Sequence, residues 1–366
     1  MAKKQKRARL IYNPTSGQEI MKKNVAEVLD VLEGFGYETS AFQTTPEPNS
    51  ARDEAKRAAE AGFDLVIAAG GDGTINEVVN GIAPLEKRPK MAIIPTGTTN
   101  DFARALKIPR GNPVEAAKII GKNQLIHMDI GQAREDTYFI NIAAAGSFTE
   151  LTYSVPSQLK TMFGYLAYLA KGVELLPGIR TVPVRIKHEK GVFEGDVSMI
   201  FAAITNSVGG FEQIAPDAKL DDGKFTLILV KTANLIEILH LIRLVLDGGK
   251  HIGDKRIEYI KTDFLEIEPL SDKKMMINLD GEYGGDAPIV LRNLKNHITF
   301  FANTDEISDD ALVWDQEDLA LEAIAQEKNR ILLTLATGTG KTFIAFQIAW
   351  KLFQTRWNLN RDGGRR

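Results

Sequence analysis

Several residue types and patterns are scarce or missing in this chain of 366 residues. It contains no cysteine, which excludes a disulfide scaffold, a thiolate zinc site and a cysteine nucleophile. None of its five histidines has the spacing of a metal-binding pair. No stretch approaches the roughly 18 consecutive apolar residues that cross a bilayer. A net charge of −3 excludes the global basic excess of a nucleic-acid binder.

What remains is an ordinary globular composition, with 44% hydrophobic and 25% charged residues. The length predicts two or three domains. The first 130 or so residues alternate short apolar strands with helical segments, which is typical of a parallel sheet flanked by helices. Strands are predicted at 10–12, 37–42, 65–69 and 91–94, and helices at 19–33, 51–61, 74–82 and 101–106.

From about Ile130 onward, strand-like segments follow one another and turn signals separate many of them, which predicts a mostly β region. These segments are 138–144, 182–187, 197–204, 225–230, 264–268, 275–279 and 297–301. Two helices interrupt them, at 157–176 and 235–246. After Thr304 an acidic linker leads into a third, short region.

The strongest local signal is the strand at 65–69 followed by Gly70-Gly71-Asp72-Gly73-Thr74 and a helix. Glycines allow the backbone to approach a phosphate closely, and the start of a helix offers free N–H groups to it. Asp72 is out of place beside phosphate unless a cation lies between them, so we interpret it as part of a magnesium–water network. A plain turn before a helix would explain the glycines equally well.

Two further loops favour the nucleotide interpretation. The loops at 13–17 and 95–101 also follow predicted strands. In a parallel sheet all three loops would meet at the carboxyl edge, where α/β proteins bind ligands.

The motifs together resemble the bacterial soluble diacylglycerol kinases, in the superfamily shared with sphingosine kinases and NAD kinases. The resemblance spans about residues 6–304. It is carried by 11–17 (IYNPTSG), 68–74 (AAGGDGT), 95–102 (PTGTTNDF), 217–223 (DAKLDDG) and 279–282 (LDGE).

This resemblance implies an α/β nucleotide-binding domain with a parallel, Rossmann-like sheet, formed by residues 1–129 plus about 291–304. Residues 130–290 would form a mostly β, sandwich-like domain. Residues 305–366 lie outside this resemblance, and we interpret them as a linker and a truncated tail that contains a phosphate-binding loop. ATP would lie in the cleft and a homodimer would form. The residues that would contact ATP are Asn13, Pro14, Thr15, Ser16, Gly17, Thr44, Gly71, Asp72, Gly73, Thr74, Ile75, Asn76, Glu77 and Thr98.

The resemblance also assigns the chemistry. Asp280 would be the base that accepts the proton of the lipid hydroxyl, with Glu282 in support. Asp72, Asp101 and Asp129 would complete an acidic network that holds magnesium near the phosphates. A second, structural magnesium would be bound by the Lys219 carbonyl, the Asp222 carboxylate and the Lys224 carbonyl. Without the resemblance, both Asp280-Gly281-Glu282 and Asp221-Asp222-Gly223 would be interpreted as surface turns.

A diacylglycerol kinase has to reach its substrate at the membrane surface, and we expect a cytoplasmic enzyme at the inner membrane face. The apolar helix at 157–176 could line a lipid groove or be a core helix, and the basic residues at 3–9 could attract anionic headgroups or simply be solvated.

The tail contains Gly338-Thr339-Gly340-Lys341-Thr342, a phosphate-binding loop that resembles the helicase-type motor of type I restriction enzymes. The chain ends too soon to supply the acidic residue that would hold magnesium, so we expect no ATPase activity from it. No nucleic acid is expected to bind residues 1–304.

Two alternatives stay open at the level of sequence. One is another kinase of the superfamily that acts on NAD or on a different lipid alcohol. The other is a non-catalytic nucleotide-binding module or a DNA-associated ATPase fragment.

Overall fold

The computed structural model describes residues 5–146, 181–206, 214–231, 235–272, 274–308 and 311–312. By its contacts the chain forms two compact units, Met1–Thr304 and Asp305–Arg366. All strands and helices named below lie in the first unit.

The first half of this unit alternates strands and helices. Its strands are β1 (Lys6–Tyr12), β2 (Tyr37–Gln43), β3 (Leu65–Gly70) and β4 (Lys90–Pro95). Its helices are α1 (Ile20–Gly34), α2 (Ser50–Glu60), α3 (Asp72–Ile82), α4 (Asp101–Ala105) and α5 (Pro113–Gly121).

The four strands are parallel and lie in the order β2-β1-β3-β4. Every residue of β3 is buried, as expected of a central strand with helices on both faces. Because the strands are parallel, the segments that follow them emerge at one edge of the sheet. This edge positions the candidate site.

The second half is dominated by antiparallel pairs. Its strands are β5 (Leu125–Arg134), β6 (Thr137–Phe139), β7 (Ile142–Gly146), β8 (Val182–His188), β9 (Gly191–Ala203), β10 (Phe225–Lys231), β11 (Ile257–Thr262), β12 (Phe264–Pro269), β13 (Met276–Leu279), β14 (Glu282–Asp286) and β15 (Ile289–Phe301). Its described helix is α6 (Leu235–Leu246). An apolar core joins α6 to the strands through Ile142, Met199, Ile228, Val230, Ile238, Leu241 and Ile257.

Strand β15 connects the two halves. Residues 289–292 pair with β12, whereas residues 298–301 pair with β5 and Phe300 pairs with Met91 of β4. Residues 292–294 also pair with β5, and the register of this pairing shifts between Leu294 and Ile298. One strand therefore carries the β-rich region back to the parallel sheet.

The predicted fold class, a parallel α/β region followed by a mostly β region, is confirmed. The predicted single strand at 138–144 is instead two strands, β6 and β7, with Ile140 and Asn141 between them. Elements β5, β11, β14 and α5 were not predicted. The predicted helix at 157–176 and the loop at 338–342 lie outside the described residues.

Within the described part of the chain, no helix combines the length and hydrophobicity that a membrane crossing needs.

Candidate active site at the carboxyl edge of the parallel strands

The loops after β1, β3 and β4 meet, as predicted. A Cβ added at Gly17 would lie 2.0 Å from the Thr96 carbonyl oxygen, and one added at Gly97 would lie 2.6 Å from the Cα of Gly71. Gly17 also has a φ of +56°, which favours glycine. The three loops thus touch through their backbones, and this closeness requires glycine at the contact points.

The other predicted ATP-contacting residues surround these loops. The Asn13 N–H donates to the Ala69 carbonyl at 2.9 Å, and the Asn13 side chain accepts from both the Thr15 N–H and its hydroxyl. After β2, the Thr44 N–H donates to the Tyr12 carbonyl at 2.9 Å. Thr98 is exposed in the loop after β4.

Helix α3 directs its first turn at the meeting point of the loops. It begins at Asp72 after the extended Gly71, so the first N–H groups have no partner within the helix. Further along, the side chain of Ile75 is fully buried, and Glu77 accepts the Ala51 N–H at the start of α2 at 3.0 Å. The buried side chain of Ile75 is therefore not available to contact a nucleotide.

Only one of the two carboxylate oxygens of Asp72 accepts hydrogen bonds from the described part of the chain. Its Oδ2 accepts from the Thr99 hydroxyl at 3.1 Å and the Asn100 N–H at 3.0 Å. Its Oδ1 is buried and has no hydrogen-bond partner among the described residues. Burial, together with the negative charges of Asp101 and Asp280, raises the pKa of Asp72 to about 6.

Asp280 has the opposite environment. Its Oδ2 accepts from Asn76 Nδ2 at 2.9 Å and from the Ile140 N–H at 2.7 Å, and its Oδ1 accepts from the N–H groups of Asn141 and Ile142, each at 2.9 Å. Burial raises the pKa of Asp280 although these four donors lower it. Asp280 itself has a φ of +51°, an uncommon conformation for a residue other than glycine.

Glu282 begins β14, two residues after Asp280, and is exposed. A Cβ added at Gly73 would lie 3.9 Å from Glu282 Oε1. The Asp280–Glu282 turn therefore faces the glycine loop that carries Asp72, as we had expected from the paired motifs.

Asp101 and Asp129 occupy different places. Asp101 starts α4 beside Asn100, and its charge acts on Asp72. Asp129 is fully buried, and accepts the N–H groups of Gly223 at 2.5 Å and Asn296 at 2.8 Å. Its charged neighbours are Asp221 and Asp222, so the contacts group it with the loop at 219–224 rather than with Asp72.

The loop predicted to hold a structural metal is a tight turn. The Lys224 N–H donates to Asp222 Oδ1 at 2.8 Å, and Gly223 has a φ of +77°. Burial and the charges of Asp222 and Asp221 raise the pKa of Asp129 to about 6. Lys261 Nζ lies 3.7 Å from Asp222 Oδ2 and offsets part of this negative charge.

Some residues of the site escaped the sequence prediction. Thr99 and Asn100 both donate to Asp72. Asn100 has a φ of +50°, and asparagine is among the few residues that tolerate this conformation, so its presence in the loop was a usable signal. The donors from residues 140–142 to Asp280 are backbone N–H groups, so the side chains of these residues do not indicate the contacts.

A magnesium ion fits the observed groups around Asp72. The orphaned Oδ1 needs a partner, and the three mutually repelling carboxylates Asp72, Asp101 and Asp280 need a compensating charge. In the described part of the chain, no cluster of three or more histidine, aspartate or glutamate side chains is arranged to bind a metal directly. The orphaned oxygen of Asp72 and the neighbouring negative charges therefore suit a bound cation.

Three protein-family models match the chain. Residues 7–133 match the diacylglycerol kinase catalytic domain, and residues 149–302 match the YegS C-terminal NAD kinase beta sandwich-like domain. A third, marginal match of residues 290–360 is to the type III restriction enzyme, res subunit. It agrees with a restriction-enzyme resemblance of the tail, although it names type III rather than type I.

Curated relatives and solved structures agree with the first two matches. The chain is 52% identical to a diacylglycerol kinase of Bacillus subtilis over 80% of this chain and 95% of that protein, and 46% identical to one of Staphylococcus epidermidis over 84% and 95%. A Bacillus anthracis structure, provisionally described as a diacylglycerol kinase, superimposes with a TM-score of 0.72 at 29% identity, over 83% of this chain and 97% of that one.

The identity to the two curated relatives runs over 95% of the length of each. The chain therefore belongs to the diacylglycerol kinase family of lipid kinases.

Proposed function

We propose that this protein transfers the γ-phosphate of ATP to the hydroxyl of diacylglycerol and so forms phosphatidic acid. The observation that carries the proposal is the placement of an acidic turn, Asp280–Glu282, opposite the glycine loop at 70–74. Relatives at 46% and 52% identity named diacylglycerol kinase support the choice of substrate.

The nucleotide would bind at the carboxyl edge of the parallel strands. The phosphates would lie against the loop at 71–74 and the first turn of α3, where unpaired N–H groups meet the positive end of the helix dipole. The loops at 13–17 and 96–98, with Thr44, would contact the rest of the nucleotide. Use of ATP follows from the kinase family.

Magnesium would be held through water by Asp72, with Asp101 beside it. When bound, it neutralises the charge that develops on the transferred phosphoryl group. The protein's own contribution is to hold the Asp72 carboxyl group in place, through the Thr99 and Asn100 donors to its Oδ2. The second predicted site at Lys219, Asp222 and Lys224 would be structural, and Asp129 would support it.

The contacts favour an exchange of the roles we predicted for the two acidic residues of the turn. All four lone-pair positions of Asp280 are occupied by donors from the protein, so it cannot readily accept a proton from a substrate. Glu282 is exposed and faces the glycine loop. We therefore assign the base to Glu282, and to Asp280 the fixing of the turn.

In this assignment the bond between the γ-phosphorus and its bridging oxygen breaks, and the lipid hydroxyl oxygen forms a new bond to that phosphorus. The hydroxyl proton passes to Glu282, and ADP leaves. Because phosphoryl transfer needs mainly positioning and charge stabilisation, one well-placed carboxylate suffices as base.

The remaining parts of the proposal rest on the resemblance. Residues 1–129 with 291–304 would bind ATP, and 130–290 would bind the lipid at the inner membrane face, in a cytoplasmic homodimer. Light scattering coupled to size exclusion tests the dimer, and flotation with anionic and neutral vesicles tests membrane attachment.

The function is tested by transfer of labelled phosphate from ATP to diacylglycerol in mixed micelles, beside ceramide, sphingosine and NAD. We expect labelled phosphatidic acid, and its loss when EDTA removes magnesium. Labelling of another acceptor in preference to diacylglycerol would show that the substrate assignment is wrong. ATP turnover stimulated only by double-stranded DNA would show that the protein is not a lipid kinase.

A further inference from the structure

Asn80 is a buried residue of helix α3 whose side chain satisfies several backbone and side-chain groups at once. It is 7% exposed. Its Oδ1 accepts the Tyr138 N–H at 2.8 Å, and its Nδ2 lies 3.0 Å from the Tyr138 carbonyl. The amide therefore pairs with both backbone groups of Tyr138, as a neighbouring strand would.

The same Nδ2 fixes the residue one helical turn earlier. It lies 3.0 Å from Asn76 Oδ1 and 2.9 Å from the Asn76 carbonyl. Because the oxygen end of the Asn76 amide faces Asn80, the nitrogen end points away, and it donates to Asp280 Oδ2 at 2.9 Å. Asn80 thus sets which end of Asn76 meets the carboxylate.

Both sets of contacts lead to Asp280. Tyr138 stands two residues before Ile140, the first of three successive residues whose N–H groups donate to Asp280. By holding Tyr138 and Asn76 together, Asn80 positions the sources of all four donors to that carboxylate. Asn80 itself makes no described contact with Asp280, and we predicted no role for it from the sequence.

We propose that Asn80 is a positioning residue for the phosphoryl-transfer reaction: it orients Asn76 and the segment at 138–142 around Asp280, and so fixes the turn that carries Glu282. This inference rests on the proposed function and adds to it a residue that links the helix of the phosphate loop to the acidic turn.

The test is a double-mutant cycle on kcat with Asn80→Ala, Asn76→Ala and the double variant, using labelled ATP and diacylglycerol. We expect Asn80→Ala to lower kcat about tenfold to a hundredfold, because loss of the Asn80 contacts frees Asn76 and so costs its hydrogen bond to the Asp280 carboxylate. KM for ATP should stay within about twofold. In the Asn76→Ala background the same change should lower kcat by a clearly smaller factor, because the route through Asn76 is already lost and only the contacts with Tyr138 remain.

Asn303→Ala is the matched control. Asn303 is also a buried asparagine, at 3% exposure, and its side chain accepts a hydrogen bond from Lys122 at 2.6 Å, away from Asp280. Its loss should leave kcat within about twofold. If Asn80→Ala fails to fold, Asn80→Asp keeps the acceptor for the Tyr138 N–H while it loses the donors, and should show the same fall in kcat.

An unchanged kcat in Asn80→Ala, or effects of the two single variants that simply multiply, would overturn the inference. If the wild-type protein does not phosphorylate diacylglycerol, the proposed function fails by itself. The inference is then tested by a double-mutant cycle on the thermal midpoint with Asn80→Ala and Asp280→Asn. It predicts that the two changes in midpoint are coupled, and additive changes would reject it.

Discussion

Two carboxylates that face each other across the site have opposite environments. Asp72, at the edge of the parallel sheet, has one oxygen with no partner among the described residues. Asp280, in the β-rich region, has four donors on its two oxygens. A carboxylate that lacks partners is available to a ligand or cation, whereas one that is saturated is a structural support. The number of hydrogen-bond donors around each carboxylate therefore distinguishes a ligand-binding residue from a supporting one, which the sequence motifs alone do not.

The largest effect should come from Glu282→Gln, which removes the proposed base and changes little else. We expect kcat to fall by about 10²–10⁴-fold, the usual contribution of a general base. Because Glu282 is exposed, the thermal midpoint should stay within about 1 °C. Steady-state kinetics and calorimetry on the same samples give both numbers. Activity retained above a tenth of wild type would return the base to Asp280.

The next effect should appear in Asp280→Asn as lost stability together with lost activity. The new NH₂ group would face two N–H donors, and each unsatisfied buried group costs about 1–3 kcal/mol. Urea unfolding should show a decrease of about 2–4 kcal/mol in the free energy of unfolding. Asp254→Asn, at a carboxylate whose pKa is lowered mainly by Arg256, is a control outside the site. Full stability of Asp280→Asn would refute the supporting role.

A smaller effect is a pH dependence of the metal-free protein. Raised folded pKa values, about 6 for Asp72 and for Asp129, mean that the folded state binds protons more tightly than the unfolded state between about pH 4 and 6. Stability from these groups therefore falls as pH rises through that window. The thermal midpoint in EDTA should increase from pH 7 to pH 5.

Magnesium should weaken that pH dependence, because the cation favours the ionised carboxyl groups. Replacing Asp72 and Asp129 by asparagine should remove most of it. A midpoint in EDTA that decreases steadily from pH 7 to pH 5 would show that neither carboxyl group has a raised pKa.

The smallest effect should follow from removing the tail. All site residues lie within residues 1–304, which form a compact unit of their own. A chain that ends at Thr304 should therefore keep kcat and KM within about twofold of the full chain, a range set by ordinary assay variation. A marked loss of activity would give the tail a function that we do not expect.

Much of the first half could be predicted from the sequence, because its signals are local. The buried strand at 65–70, the glycines after it and the helical segment that begins at Asp72 are consecutive, and each has its own pattern. Helix α5 also had a readable start, since the Asn112 side chain accepts from Val114 and Glu115 and Pro113 opens the helix.

The second half was harder because its elements depend on distant partners. Strand β14 (Glu282–Asp286) contains two glycines and no alternation, and it is a strand because it pairs with β13. Three of the four donors to Asp280 are backbone N–H groups of Ile140, Asn141 and Ile142, which precede it by about 140 positions in the sequence. Such contacts follow from tertiary structure, so the sequence indicated the acidic turn but not which of its carboxylates is free.

The most direct test of the account is a crystal structure with magnesium and a non-hydrolysable ATP analogue. We expect the phosphates against the loop at 71–74, with the terminal phosphate between Asp72 and Glu282 and the four donors still on Asp280. Phosphates bound elsewhere, or a Glu282 side chain directed away from the terminal phosphate, would contradict it.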